Sequence, residues 1–193
     1  MNEYYHFLTK KIFFCFLISI MQSLSSVKFP NYYIYRSQKF LSLNNIREVA
    51  KIISIKDGQV KGEMEFRPSY VNRKAKGGEP SLFIDFLVIH DRKKGYGTKL
   101  LNYAKKCSEQ MGCEGNFWLD SSTCFLPQEI PHTFYRKFGM TSDNIKTDKM
   151  LDKFILKGKI PTYKDMGDVF MYYPNYNQKK VNIFKKLWNK LFF

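Results

Sequence analysis

The sequence predicts an α/β (α+β) domain, and three neighbouring patterns carry that prediction. The first is the apolar run at 82–89, which is long and apolar enough to be a buried strand. The second is the basic segment Arg92–Gly97, which holds two glycines. The third is a set of apolar residues at helical spacing, closed by Gly112: Leu100, Leu101, Ala104, Cys107 and Met111. Strand, glycine turn and helix in this order place a helix N-terminus beside the end of a strand.

The first 30 residues are predicted to be a hydrophobic extension. Lys10 and Lys11 precede an apolar run at 12–20, and small residues follow at 23–25. This is the pattern of a secretory signal, and the run is too short to span a bilayer as a helix. Two alternatives stay open, since the run could pack on the domain or follow from a misassigned start codon.

The domain itself is predicted to cover residues 31–175, beginning with a strand near 32–41. Runs at 46–55 and 60–66 flank Asp57-Gly58, which is a strong hairpin signal between alternating sequences. Residues 68–80 are expected to form an exposed loop because they hold two prolines and a Gly-Gly pair.

Beyond the helix predicted to end near Met111, the elements are shorter. Residues 117–119 are expected to form a strand and residues 127–138 a second helix. Residues 154–156 and 168–172 are expected to supply the last strands.

The last segment, 176–193, is predicted to be a basic amphipathic tail. Within 181–193 the apolar residues share one helical face and the lysines the other: Phe184, Leu187, Trp188 and Leu191 against Lys185, Lys186 and Lys190. Such helices often lie on anionic membranes. The equal alternative is a helix that docks its apolar face on its own domain.

Composition limits the class of protein and of partner. With 193 residues, 44% hydrophobic and 17% aromatic, the chain is globular rather than disordered. The net charge of +15 favours anionic partners, which include cofactor phosphates, nucleic acid and acidic membranes. The four cysteines form no Cys-x-x-Cys pair and have no histidine cluster beside them, so no metal is expected.

The segment Arg92–Gly97 has the chemistry of an anion site. Amides at a helix N-terminus have no intrahelical partner, and the helix dipole adds positive potential. Gly95 and Gly97 would let a phosphate approach the backbone, and Arg92, Lys93 and Lys94 add charge. The segment does not match the Gly-x-x-x-x-Gly-Lys-Ser/Thr loop. It does not match the dinucleotide-binding fingerprint either, because a leucine stands at the position of that fingerprint's third glycine.

A second motif follows at 132–140. Arg92-x-x-Gly95-x-Gly97, then Phe134-Tyr135-x-x-x-Gly139-Met140, resembles the two signatures of the GNAT N-acetyltransferase superfamily in order and spacing. The resemblance covers roughly residues 45 to 172. It implies a mixed, mostly antiparallel central sheet that is splayed at the cofactor site and flanked by helices.

The resemblance also implies a reaction and a co-substrate. An acetyl group would pass from acetyl-CoA to a primary amine, of a small molecule or a protein, by direct attack in a ternary complex. Gln128 stands where many family members carry asparagine. The cofactor-binding residues so implied are Leu87, Val88, Ile89, Arg92, Lys93, Lys94, Gly95, Tyr96, Gly97, Thr98, Gln128 and Lys137.

Two residues are predicted to be catalytic. Tyr135 matches the family tyrosine that protonates the departing thiolate, and a phenol is protonated at neutral pH. Asp85 is the one charged residue in the apolar strand, so it is either the general base or part of a structural salt bridge. His132 and Asp120 are weaker candidates for the base.

The main alternative is a non-catalytic acyl-CoA-binding or nucleic-acid-binding module with the same fold. Nucleic acid is disfavoured, because neither a basic recognition helix nor an aromatic stacking platform is clear. The expected location is cytoplasmic with membrane association through the tail, and the alternative is export by the N-terminal signal.

Overall fold

The computed structural model describes residues 26–42, 45–69, 80–124 and 129–173. Within them it has a mixed α+β architecture, in which the strands are ordered β1 to β7 along one sheet. The strands are β1 (Ser26–Lys28), β2 (Tyr32–Ser42), β3 (Asn45–Ser54), β4 (Val60–Ser69), β5 (Ser81–Ile89), β6 (Phe117–Ser121) and β7 (Val169–Tyr173). The helices are α1 (Tyr96–Gln110), α2 (His132–Lys137) and α3 (Ile145–Leu156).

The chain folds into two compact units, and β5 and α1 each contribute residues to both. Among the described residues, the first unit holds those from Ser26 to Arg67 together with Phe86–Leu100. The second unit holds the described residues of the ranges 68–85 and 101–173. Each unit has its own strand pairing and its own buried side chains.

The first unit is built on an antiparallel meander. β1 pairs with β2, β2 with β3, and β3 with β4. One face carries the buried side chains of Ile34, Ile52, Met64 and Phe66, as expected for strands with alternating burial. The predicted hairpin is confirmed, with Gly58 at a φ of 67° in its turn.

The second unit combines parallel and antiparallel pairing. β6 pairs with β7 in antiparallel register from Phe117↔Tyr173 to Ser121↔Val169. The parallel ladder between β5 and β6 is short, covering Leu82↔Phe117, Phe83↔Trp118 and Ile84↔Leu119. Rings stack across these strands, with 4.0 Å between the centroids of Phe83 and Trp118.

The expectation that β5 is buried along its whole length is only partly right. Leu82 and Ile84 are buried, but every residue from Asp85 to Ile89 is half-buried. The change coincides with the last residue pair of the parallel ladder, Ile84↔Leu119, after which β5 runs on for five residues to Ile89.

One of the two helix predictions needs correction. α1 is confirmed, but α2 begins only at His132, after Pro131 at its N-cap position, and not at 127. A residue that precedes proline is disfavoured in the helical conformation, and Ile130 instead donates its N–H to the carbonyl of Pro161 at 3.2 Å.

The strand predicted at 154–156 is wrong, because these residues are the last turn of α3. The Asn144 side chain caps this helix by accepting the N–H of Lys146 at 2.9 Å. A run of three apolar residues cannot separate strand from helix, and the cap was the signal that could have decided it.

Several predictions fall outside the described residues. They are the secretory pattern before residue 26, most of the loop at 68–80 and the tail at 176–193. The described sheet begins at Ser26, five residues before the predicted start of the domain at residue 31.

No helix in the described residues is long and apolar enough to cross a membrane. Those residues also contain no group of three His, Cys, Asp or Glu side chains that could hold a metal.

Candidate functional site

The candidate site of the first unit begins where β5 ends. The N–H groups of His90 and Asp91 donate to the carbonyl of Lys61 at 3.0 and 3.3 Å, which ties the end of β5 to β4. The chain then turns through Arg92–Gly95, here called the cationic turn, and enters α1 at Tyr96.

The backbone of the cationic turn is shaped for an anion. Lys93 and Gly95 have positive φ angles of 60° and 76°, and the next residue, Tyr96, is helical. A left-handed residue followed by a right-handed one directs successive N–H groups into one concavity, which is a known anion-binding arrangement. The N–H of Lys99 donates to the Gly95 carbonyl at 3.1 Å, so the N–H groups of the preceding residues lack a helical acceptor.

The charge of this turn is not neutralised within the described residues. Arg92, Lys93 and Lys94 are exposed, and none of the ion pairs found there involves them. Lys61 shows the contrast, because its ammonium is 2.7 Å from Asp57 and, together with the backbone N–H of Gln59, lowers the pKa of that carboxyl to about 2.

The strand end beside the turn is set by a close approach of β4. A Cβ added to Gly62 would lie 2.8 Å from Cδ1 of Ile89 and 3.0 Å from the carbonyl oxygen of Val88. Gly62 is buried, so only a residue without a side chain fits there. Sequence reasoning missed Gly62, because a lone glycine in a strand does not reveal which backbone approaches it.

Ten of the predicted cofactor-binding residues share this part of the first unit. Leu87, Val88 and Ile89 are half-buried at the end of β5. Arg92 to Gly95 form the exposed turn, and Tyr96, Gly97 and Thr98 form the first turn of α1. Gly97 is buried, so of the two glycines only Gly95 is open, with no atom within 4 Å of an added Cβ.

Two side chains missed by sequence reasoning flank this turn. The ring of Tyr32 meets the ring of Tyr96 edge-on at 6.4 Å. The ammonium of Lys99 lies 4.1 Å from the centroid of the Tyr32 ring and 4.9 Å from that of Tyr96. Tyr32 and Lys99 are 67 positions apart, and no sequence pattern connects them.

The other predicted residues belong to the second unit or lie outside the described residues. Tyr135 is buried in α2, where burial raises the pKa of its phenol well above the ordinary value. Lys137 is exposed at the end of the same helix, and Gln128 is not among the described residues. Asp85 is half-buried, so it does not meet the expectation of a buried carboxylate.

His132 has both ring nitrogens engaged inside the second unit. Its Nε2 is 2.9 Å from the carbonyl oxygen of Gly167, which can only accept, so Nε2 carries the proton. Its Nδ1 then accepts from the hydroxyl of Ser121 at 2.6 Å. Burial lowers the pKa of His132, against smaller raising effects that include Asp168 and Asp120. The neutral imidazole thus has both ring nitrogens hydrogen-bonded within the second unit.

Arg136, next to Tyr135, is also held by its own unit. Its Nε and Nη2 donate to the two carboxylate oxygens of Asp152 at 2.8 and 2.9 Å. Its Nη1 lies 3.7 Å from the buried Asp148, which in turn accepts the N–H of Ser142 at 2.8 Å. The contacts of His132 and Arg136 are here called the α2 network, and they join α2 to its neighbours.

Comparison with known proteins gives little beyond this geometry. No protein-family model matches the chain, and no curated protein matches it. It is similar to a bacterial toxin of known crystal structure, with 14% identity and a TM-score of 0.43 over 65% of this chain and 66% of that one. It is also similar to a tyrosine-to-phenylalanine mutant of the toxin AtaT bound to the C-terminus of the antitoxin AtaR. There the identity is 17% and the TM-score 0.38, over 57% of this chain and 71% of that one. With TM-scores below 0.5, neither likeness carries an argument about function.

Proposed function

We propose that this chain is an N-acetyltransferase that moves an acetyl group from acetyl-CoA to a primary amine. The observation that carries the proposal is the cationic turn. It joins a left-handed Gly95 with open space in front of it, a helix N-terminus and three exposed cations that lack described ion-pair partners. Backbone amides and cations in this combination suit a pyrophosphate.

The end of β5 supports the same co-substrate. The ladder between β5 and β6 runs from Leu82 to Ile84, and Leu87, Val88 and Ile89 follow at the half-buried end of the strand. An extended pantetheine arm offers amide groups that can pair with Leu87, Val88 and Ile89. An N–H there would polarise the thioester carbonyl, which is how acyl transfer is commonly assisted.

The proposed reaction balances without any further reactant. The amine nitrogen attacks the thioester carbon, a C–N bond forms and the C–S bond breaks. The nitrogen loses one proton and the departing thiolate gains one. Holding amine and thioester together supplies a large share of the rate.

Tyr135 is the proposed acid for the thiolate, and its burial refines that role. The raised pKa keeps the phenol protonated throughout the physiological range. It also makes complete proton transfer to a thiolate uphill, since a thiol has an ordinary pKa near 8.5. We therefore assign Tyr135 the donation of a hydrogen bond that stabilises the leaving sulfur, and the departing thiolate takes its proton from water, which regains one from the attacking nitrogen. Asp85 remains the proposed base.

The proposed class of acceptor amine rests only on the net charge of the protein. A chain with a net charge of +15 repels polyamines, whereas uncharged or anionic amines meet no such penalty. The side chains that would select the acceptor vary most among proteins built on one scaffold, because they lie on loops.

Calorimetry with acetyl-CoA is the first test, followed by release of free thiol in the presence of a panel of amines. Saturable binding with amine-dependent thiol release supports the proposal. Binding without turnover for any amine favours the non-catalytic acyl-CoA-binding module. Failure to bind acetyl-CoA overturns both.

A further inference from the structure

We propose that Lys99 recognises the 3′-phosphate of CoA and makes this chain selective for CoA over dephospho-CoA. The inference rests on the proposed acetyl-CoA site and deepens it. CoA carries two separate anionic groups, the pyrophosphate and the ribose 3′-phosphate, and the cationic turn accounts for only the first.

The position of Lys99 suits a second anionic group. It stands in the first turn of α1, where its N–H donates to the carbonyl of Gly95 at 3.1 Å. Long side chains on a helix lean back toward its N-terminus, over residues three and four positions earlier. For Lys99 those residues are Tyr96 and Gly95, so its ammonium is directed along the helix face that begins at the cationic turn.

The two tyrosine rings hold the Lys99 ammonium without neutralising it. At 4.1 and 4.9 Å from the ring centroids, the cation is within the range of favourable attraction to both ring faces. The Tyr32 ring is itself stacked on Phe29, with 4.5 Å between centroids. No ion pair found among the described residues involves Lys99, in contrast to the Lys61–Asp57 pair in the same unit.

A fixed and uncompensated cation is what a phosphate monoester needs. Restricting a lysine before binding removes part of the entropy that would otherwise be lost when the ligand orders it. The monoester carries close to two negative charges at neutral pH and bonds strongly to an ammonium. Loss of one such bond lowers affinity by about 10- to 100-fold.

The test is a cycle between protein and ligand. Calorimetry measures CoA and 3′-dephospho-CoA against the wild type and Lys99→Met. Wild type should bind CoA about 10- to 100-fold more tightly than dephospho-CoA. Lys99→Met should lose this preference and bind dephospho-CoA as wild type does. Lys105→Met is the matched control, because Lys105 also lies over a tyrosine ring, 5.5 Å from that of Tyr173, but further along α1.

The ring contact gives a second readout. Tyr32→Leu removes the face on which the ammonium rests and should reduce the preference for CoA by about 3- to 10-fold, the worth of a cation held on a ring. Tyr32→Phe keeps the face and should keep the preference. A merely structural role for the ring would lower the affinity for both ligands equally.

Three outcomes would count against the proposal in different ways. Equal affinity of wild type for CoA and dephospho-CoA overturns the role of Lys99 while leaving the acetyl-CoA site intact. An equal loss of affinity for both ligands in Lys99→Met would mean that Lys99 attracts the pyrophosphate or adds to the overall positive potential of the site. That result would also overturn the proposed recognition of the 3′-phosphate. If wild type binds neither ligand, the proposed function itself fails and the inference fails with it.

Discussion

The cationic turn and the α2 network both place basic side chains at or beside a helix, but the two regions use these side chains differently. In the turn, Arg92, Lys93 and Lys94 are exposed and take part in none of the ion pairs found in the described residues. In the α2 network, both ring nitrogens of His132 and the Nε and Nη2 of Arg136 have partners within 3.0 Å, and the Nη1 of Arg136 donates to the carbonyl of Met140 at 3.3 Å. Basic groups already paired inside the protein stabilise the fold, whereas unpaired basic groups on a shaped backbone are available to a ligand.

The largest expected effect belongs to Tyr135, the residue of α2 that we assign to chemistry. Tyr135→Phe removes the hydroxyl and keeps the ring, so acetyl-CoA affinity should not change. Turnover with an accepted amine should fall by about 10²–10⁴-fold, the range for one positioned acid. Because burial raises the pKa of this phenol, its ionisation should not limit the rate at or near neutral pH. A rate within about threefold of wild type would show that Tyr135 belongs with the structural residues of α2.

Gly95 tests the ligand side of the comparison. Gly95→Asp adds a negative charge where the pyrophosphate is proposed to bind, and acetyl-CoA affinity should fall about 100-fold. Space is open around an added Cβ, and aspartate and asparagine tolerate positive φ better than most residues, so the fold should survive. Gly95→Asn has nearly the same shape without the charge and should lose much less. Equal losses in the two variants would mean that shape alone, and not charge, governs this position.

Arg136 tests the structural side. Arg136→Met breaks the bidentate pair with Asp152 and removes the guanidinium 3.7 Å from the buried Asp148, so the free energy of unfolding should fall by about 2 kcal/mol. Chemical denaturation measures this. Arg92→Met is the matched variant, for which we expect unchanged stability and acetyl-CoA affinity lowered about 3- to 10-fold. If each variant produced the effect expected of the other, the division between the two regions would be wrong.

Gly62 sharpens the comparison, since it links packing to the candidate site within one unit. Gly62→Ala forces the Val88 carbonyl or the Ile89 side chain to move, and the cost should be about 1–3 kcal/mol of unfolding free energy. The shift falls on the strand end proposed to bind the thioester arm, so acetyl-CoA affinity should fall as well. Gly167→Ala is a suitable control, because nothing lies within 4 Å of an added Cβ there.

The smallest effect is a pH dependence of stability from His132. Burial lowers its pKa in the folded state, so the unfolded chain binds more protons below about pH 6.5, its ordinary pKa. This stabilisation is complete above that pH and is lost as the pH falls toward the folded pKa. The slope contributed by one proton is at most about 1.4 kcal/mol per pH unit. The pH dependence of the unfolding free energy between about pH 5 and 8 should flatten in His132→Gln.

Local patterns allowed much of the first unit to be predicted. Asp57-Gly58 specified the hairpin, and the apolar run before Arg92 specified β5 and the start of α1. These features depend on neighbours in the chain, which a sequence displays directly. α3 was also within reach, since Asn144 caps it, but the three-residue run at 154–156 was wrongly assigned to a strand.

The contacts that distinguish the candidate site were out of reach, because they join distant positions. The approach of Gly62 to Val88 depends on how β4 and the end of β5 lie together. The placement of Lys99 over Tyr32 depends on where the first turn of α1 lies against β2, and the tautomer of His132 depends on a carbonyl 35 residues away. Motif spacing indicates which residues can bind a phosphate, but not which of them the fold has already paired.

Lys93 adopts a left-handed conformation that glycine would adopt more readily, with a φ of 60°. A side chain in this region is strained by about 1–2 kcal/mol. Selection for thermal stability alone would favour glycine at this position. Lysine makes the turn less stable but places a cation beside the N-terminus of α1. Directed evolution for heat resistance should therefore find this position early and lose ligand affinity when it does.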